Sequence, residues 1–136
     1  MTSAEKGIGS PQPSLSSMIS PVAQAIWKNG DDYKRVAVES EIICLVASRI
    51  NRGFFFGQTK KCVIGGLLYI VGQNCRSAQT QRVIADALST TDVSIRVQQR
   101  RWLNEFPILF AYVNKLVSEN LVQSAGTYDF ARLPMV

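Results

Sequence analysis

One segment, KKCVIGGLLYIVG at residues 60–72, constrains the fold of this chain more than any other. From Val63 to Val71 it has almost no polar face. The run is well short of the roughly 20 apolar residues that a membrane-spanning helix needs. A helix that is apolar on every side belongs in the middle of a bundle of helices. We therefore predict a central helix, capped by Thr59, in a protein without a membrane span.

The central segment also contains two consecutive glycines, Gly65 and Gly66. Each glycine in a helix interior costs on the order of 1 kcal/mol relative to alanine. We expect close approach of a neighbouring helix backbone to offset this cost. A glycine loop that cradles phosphate would need a strand before it and Lys-Ser or Lys-Thr after it, and the sequence has neither.

The remainder of the chain indicates further helices and no strands. A short helix is predicted over 21–28 with Ser20 as its N-cap, and a longer one from Asp32 that ends at Gly53. No stretch alternates apolar and polar residues between hairpin turns. Residues 1–17 are rich in Ser, Gly and Pro and are predicted to be a flexible lead.

Three more helices are predicted towards the carboxyl terminus. Thr80 caps the first, Thr91 or Asp92 caps the second, and the last covers about 108–121. The tail from residue 124 onwards is predicted to be irregular. The apolar periodicity assigns four inner faces: Val38, Ile42, Val46 and Ile50; Val83, Ile84, Ala87 and Leu88; Ile95, Gln99, Trp102, Leu103 and Phe106; Leu109, Val113, Leu116 and Val117.

Positive charge gathers in the two helices that follow Thr80. The chain carries a net charge of +5, and residues 76–101 contain five arginines against two aspartates. Two short helices joined by STT fit a helix-turn-helix, in which the second helix enters the major groove of DNA. From spacing alone, an amphipathic helix pair with an ordinary solvated face is the alternative. Packing of the inner face leaves these residues outside: Ser94, Arg96, Val97, Gln98, Arg100 and Arg101.

Three stretches in a fixed order carry a resemblance to a known family. They are AVESEIICLVASRINRG, TKKCVIGGLLYIVGQ and RSAQTQRVIADALSTTDVSIRVQQRRWL. This order resembles one cyclin-fold repeat of the transcription factor IIB family, especially the archaeal transcription factor B proteins. The similarity covers roughly residues 36–106. Its landmarks are a basic-Gly turn at Gly53, the pair Leu68 and Tyr69, the motif Thr80, Gln81, Ile84 and Ala85, and the helix start Val93, Ser94, Ile95 and Arg96.

The resemblance implies an all-α fold, a cyclin-like five-helix bundle over 18–106 that contains a helix-turn-helix at 80–106. An extra C-terminal helix and tail would occupy 107–136. It also implies binding of double-stranded promoter DNA next to a TATA element, with TATA-binding protein or other transcription machinery as a partner. The residues that the family's motif places at the DNA are Val93, Ser94, Arg96 and Val97, with Gln98 and Arg100 further along, and Thr80, Gln81 and Arg82 near phosphates.

The sequence therefore predicts a DNA-binding transcription factor or regulator, a single-repeat relative of transcription factor IIB from an archaeon or a virus. It would work in the cytoplasm, or in the nucleus of a eukaryote. The alternative is a cyclin-box module that binds a protein and not DNA, through GFFFG at 53–57 or through self-association at Leu109, Val113 and Leu116. We expect at least two of the three phenylalanines to be buried.

An enzyme is the least favoured class. The chain has no histidine, and its three cysteines form no CxxC pair, so we predict no zinc site, no other metal and no cofactor. Cys75 beside Arg76 could be an activated thiol, because a neighbouring cation lowers a thiol pKa. No base or oxyanion donor accompanies it, and a structural cysteine is the preferred interpretation.

Overall fold

The computed structural model describes residues 15–119. This part of the chain is helical and contains no strand, which confirms the predicted all-α class. A short 3-10 helix, Arg52–Phe55, lies between the second and third α-helices. The six α-helices are α1 (Leu15–Ile26), α2 (Gly30–Ile50), α3 (Lys60–Asn74), α4 (Gln81–Ala87), α5 (Asp92–Glu105) and α6 (Leu109–Ser118).

The central position of α3 is confirmed. This helix packs against α1, α2, α4, α5 and α6, and its residues from Val63 to Leu68 are all buried. The glycine pair lies where α5 crosses: a Cβ at position 66 would meet the backbone of Gln98. The expected close approach of a neighbouring helix is therefore present. Thr59 occupies the N-cap position of α3, although its side chain makes no capping hydrogen bond.

The first helix begins earlier than the sequence predicts. Residues 15–17, assigned to the flexible lead, belong to α1, and Pro21 lies inside the helix rather than at its start. The reason is an apolar stripe in which Ile19, Ala23 and Ile26 are buried. Ser20 is not a cap, because it lies inside α1, where its hydroxyl is 2.9 Å from the hydroxyl of Tyr33 on α2. The rest of the predicted lead, residues 1–14, lies outside the described residues.

The last described helix, α6, packs against α2 and α3. Leu109 and Val113 are buried in this contact, and Leu116 is partly buried against the same core. Self-association through these residues is therefore disfavoured, because the chain's own core already covers two of the three side chains. The tail predicted to be irregular lies outside the described residues.

Candidate nucleic-acid interface

The helices α4 and α5 are joined by a tight turn with both starts capped. The hydroxyl oxygens of Thr80 and Thr91 accept hydrogen bonds of 3.1 Å from the backbone N–H groups of Val83 and Ser94. Thr91, rather than Asp92, is the cap of α5. Ser89 has a left-handed φ of 55°, and the N–H of Thr90 donates to the carbonyl of Ala85 at 2.9 Å. This is the hydrogen bond that commonly closes a helix after a left-handed residue.

The inner side of α5 is anchored as the sequence predicts. Ile95 and Trp102 are fully buried. The indole N–H of Trp102 donates to the carbonyl oxygen of Val63 on α3 at 3.0 Å. Its ring lies 4.8 Å from the ring of Phe54 and 5.9 Å from that of Phe110, measured between centroids. Because the indole is held by a hydrogen bond and by rings on two sides, the rotation of α5 about its axis is fixed.

The opposite side of α5 faces solvent. Val93 is 55% exposed and Val97 is 46% exposed, and Arg100 is exposed as well. These three positions, spaced by four and three residues, share one helix face. Ser94 and Arg96 are half-buried beside them. On α4, Thr80 and Arg82 are exposed and Gln81 is half-buried.

Gln98 does not lie on the outer side, and that prediction is wrong. Its side chain is 5% exposed. It donates from Nε2 to Oε1 of Gln58 at 2.9 Å and accepts at Oε1 from Arg101 at 2.8 Å. The inner face of α5 therefore runs through Ile95, Gln98 and Trp102, one residue away from the predicted Gln99, which is half-buried.

Arg101 is turned towards the protein as well. Its guanidinium lies 4.2 Å above the centroid of the Phe54 ring. It also donates a hydrogen bond to the carbonyl oxygen of Phe54. A guanidinium held in this way is less available to a phosphate than those of Arg96 and Arg100. Leu103, assigned to the inner face from periodicity, is instead 40% exposed.

The three consecutive phenylalanines have three different environments. Phe54 is buried, Phe55 is half-buried, and Phe56 is 70% exposed. The expectation that at least two of the three are buried is therefore wrong, because only Phe54 is buried. Phe54 and Phe55 pack edge to face, with ring centroids 5.1 Å apart, whereas Phe56 stands outside this cluster.

A polar cluster buried between α2, the end of α3 and α6 was not anticipated from the sequence. Glu39 is fully buried. It accepts a hydrogen bond of 3.0 Å from the thiol of Cys75 and bonds of 3.2 and 3.3 Å from the side-chain amide of Asn114. Burial raises the pKa of Glu39, while these hydrogen bonds and the charge of Arg35 act in the opposite direction.

The same cluster decides between the two interpretations of Cys75. Its side chain is buried, and burial, together with the hydrogen bond to Glu39 and the charge of Glu39, raises the thiol pKa. An activated nucleophile needs a lowered thiol pKa. Cys75 is therefore a structural residue, as preferred from the sequence. Within residues 15–119, no group of three or more His, Cys, Asp or Glu could hold a metal ion.

No helix in the described part of the chain is long and apolar enough to cross a membrane. Comparison of the chain with models of protein families, with curated proteins and with solved structures finds no match. The functional interpretation therefore depends on the geometry of the α4–α5 pair and on the sequence motifs that this pair carries.

Proposed function

We propose that this protein is a DNA-binding transcription regulator that places α5 in the major groove of duplex DNA. One observation carries the proposal. Ile95 and Trp102 clamp α5 from the inside, while Val93, Val97 and Arg100 occupy its solvent-facing side. In a helix-turn-helix, the inner side of the second helix packs against the domain and its outer side is free to enter the groove of DNA.

The chemistry of the outer side suits duplex DNA. Arginine can neutralise phosphates or bond to the N7 and O6 atoms of guanine, and valine can contact the methyl group of thymine. Arg82 on α4 and the pair Arg96 and Arg100 on α5 supply positive charge. Asp86, which is exposed on α4, opposes it. The net charge of the chain, +5, favours association with a polyanion.

We further propose that α1 to α5 form a cyclin-like repeat related to transcription factor IIB, with α6 as an addition. The supporting features are an apolar central helix in third place and a capped helix pair at the end, in the order that the motifs imply. In this proposal TATA-binding protein, or another component of the transcription machinery, is bound to DNA beside the chain. The protein would act wherever that DNA is held, in the cytoplasm or in a nucleus.

Duplex binding is tested by fluorescence anisotropy of a labelled promoter duplex of about 20 base pairs, titrated with the full chain at several salt concentrations. We expect the logarithm of the affinity to fall linearly with the logarithm of the salt concentration, with a slope of about −0.9 per neutralised phosphate. A slope near zero, or binding to single strands as tight as to the duplex, would contradict docking in a groove.

The role of a second protein is tested by gel shift on TATA-containing promoter DNA with and without TATA-binding protein. Cooperative binding should appear as a slower band that neither protein produces alone. A sedimentation measurement on the free chain gives its oligomeric state, which decides whether one copy or two reads the site.

A protein-binding module without DNA binding is the second candidate function. The observation in its favour is the exposure of Phe56, at 70% the most exposed of the large apolar side chains in the described residues. Crosslinking that recovers a protein partner, together with an absence of salt-sensitive DNA binding, would favour this class over the first.

A further inference from the structure

A groove lies between the start of α1, the end of α2, the 3-10 helix and the start of α3. Its volume is about 260 Å³. Four of its lining residues, Leu15, Phe55, Phe56 and Val63, are apolar, and we call this site the aromatic groove. The volume is much larger than the roughly 30 Å³ that a water molecule occupies. It is slightly smaller than the roughly 300–1,000 Å³ of pockets for small organic ligands. The space is large enough to accept one bulky apolar side chain.

The two phenylalanines that line the aromatic groove are fixed in position by contacts with neighbouring residues. The ring of Phe55 packs edge to face against Trp102, with centroids 5.8 Å apart. The N–H of Phe56 donates to the carbonyl of Gly53 at 3.2 Å, and Gly57 follows with a left-handed φ of 73°. Glycine adopts this conformation without strain. The backbone at Phe56 is consequently fixed, and it directs the Phe56 side chain into solvent.

The charged side chains that line the aromatic groove are cationic. Arg52 and Lys60 line it, and no acidic side chain is among the described residues that do so. In the sequence, residues 49–61 contain four cationic residues and no acidic one. All four are exposed. An apolar groove with a cationic rim is complementary to a segment that carries a bulky apolar side chain between acidic ones.

We propose that the aromatic groove binds a short acidic segment of a partner protein, which inserts one bulky apolar side chain between Phe55, Phe56 and Val63. Arg52 pairs with a carboxylate at the rim. The apolar contact supplies most of the affinity, since an exposed ion pair contributes only about 0–1 kcal/mol and a buried large apolar side chain contributes more.

This site and the proposed DNA surface lie on different sides of α5. Gln58, which lines the aromatic groove, is hydrogen-bonded to Gln98, and Gln98 points inward from α5. Val93, Val97 and Arg100 point outward. The groove and the outer side of α5 share no residue, so the two interactions can be tested separately.

The probe is a fluorescent peptide of about twelve residues in which a single phenylalanine is flanked by aspartates and glutamates. Anisotropy with the full chain should show saturable binding that weakens as salt is added. Two control peptides, one with alanine for the phenylalanine and one with lysines for the acidic residues, should bind at least about tenfold more weakly. Amide chemical-shift changes should concentrate at Phe55, Phe56, Gln58 and Val63.

Three variants of the full chain complete the test. Phe56→Ser should weaken peptide binding about tenfold, because the apolar wall is lost. Arg52→Glu should weaken it about threefold or more and reduce its salt dependence. Lys34→Glu reverses an exposed charge on α2, roughly 25 Å from Arg52 along the helix axis, and should leave binding unchanged. Far-UV circular dichroism checks that each variant is folded.

Several outcomes would overturn the proposal. One is unchanged peptide binding in both Phe56→Ser and Arg52→Glu, and another is no peptide binding at low salt. Binding of single-stranded DNA that requires Phe56, without binding of the peptide, would assign the groove to nucleic acid. Nuclear Overhauser contacts between the Phe56 ring and residues 1–14 would assign it to the chain's own N-terminal segment. A dimer that dissociates in Phe56→Ser would assign it to a second copy.

Discussion

Gly66 on α3 lies directly against the backbone of Gln98 on α5. A Cβ built at position 66 would stand 2.5 Å from the Cβ of Gln98 and 2.8 Å from its carbonyl carbon. Alanine normally stabilises a helix interior by up to about 1 kcal/mol relative to glycine. Here the new methyl group would have to push two helix backbones apart, and overpacking of this kind costs about 1–3 kcal/mol or more.

We therefore expect Gly66→Ala to lower the free energy of unfolding by about 1–3 kcal/mol, despite the better helix propensity of alanine. Urea denaturation followed by circular dichroism measures the change. Gly30→Ala is the matched control, because a Cβ at Gly30 would meet nothing within 4 Å. A Gly66→Ala variant as stable as the native chain would mean that α3 and α5 lie further apart than described.

This contact shows what the sequence could establish about the fold. An apolar segment without a polar face must be surrounded by other helices, and two glycines within it must face a close neighbour, so the core was predictable from local chemistry. The identity of the neighbour was not predictable, because helical spacing gives the face of a helix and not its partner. The same limit explains why Gln99 was assigned to the inner face in place of Gln98. Helical periodicity could not decide which of these two adjacent polar residues is buried.

Gln98 itself provides the second prediction. Its side chain bridges Gln58 and Arg101 in a buried position, so Gln98→Ala should lower the free energy of unfolding by about 1–2 kcal/mol. Gln99→Ala, one position along and half-buried, should have a smaller effect. Chemical denaturation and the DNA titration are to be run on both variants. Loss of DNA binding in Gln98→Ala with stability unchanged would place this side chain on the outer face after all.

The third prediction concerns the arginines on the outer side of α5. Replacing Arg100 by alanine should reduce affinity for duplex DNA and lower the magnitude of the salt slope by about 1, the effect of losing one phosphate contact. Replacing both Arg96 and Arg100 by alanine should lower the magnitude of the salt slope by about 2. The free energy of unfolding of Arg100→Ala should change by less than about 0.5 kcal/mol, because Arg100 is exposed.

Lys34→Ala is the control for these arginine variants, since it removes an exposed charge from α2, a helix outside the α4–α5 pair. Its salt slope should equal that of the native chain. If Lys34→Ala and Arg100→Ala weakened binding equally, the attraction would come from net charge and α5 would have no special position at the DNA. The anisotropy titration distinguishes these two cases directly.

The polar cluster between α2, α3 and α6 gives a pH-dependent prediction. Burial raises the pKa of Glu39 above its ordinary value of 4.5, so the folded protein holds this proton to a higher pH than the unfolded chain does. The folded state is therefore favoured by protonated Glu39 at low pH, and stability is lost as the pH rises from about 4.5 through the folded pKa.

Glu39→Gln removes this titration while keeping an oxygen that can accept from Cys75. The difference in unfolding free energy between the native chain and Glu39→Gln should shift in favour of the variant as the pH rises above 4.5. Chemical denaturation at a series of pH values measures it. A difference that is constant with pH, or one that shifts towards the native chain, would contradict a buried carboxyl with a raised pKa.

The sequence could not reveal this cluster because its members are distant in the chain. Glu39 looks like an ordinary exposed acid within a helical stripe, and Asn114 like a polar residue on an amphipathic helix. Only the packing of α6 onto α2 brings them together. The outer face of α5 was predictable only in part. Ile95 and Trp102 mark the inner face, which leaves Val97 and Arg100 outside, whereas Gln98 and Arg101 turn inward.

The last prediction concerns the three thiols. Burial raises the pKa of Cys44 to about 12 and also raises that of Cys75, whereas Cys62 is half-exposed near the hydroxyl of Thr90. Since the thiolate is the reactive form, alkylation of the native protein at mild alkaline pH should modify Cys62 first. The other two should react only when the fold opens, and peptide mass spectrometry gives the order.

Cys62→Ser is the matched variant for this experiment. It should remove the fast phase of alkylation and leave the two slow sites unaltered, while denaturant should make both slow sites react at once. Rapid modification of Cys75 in the folded protein would mean that its thiol is neither buried nor bonded to Glu39. That result would restore the activated-thiol interpretation and remove the hydrogen bond that joins the end of α3 to α2.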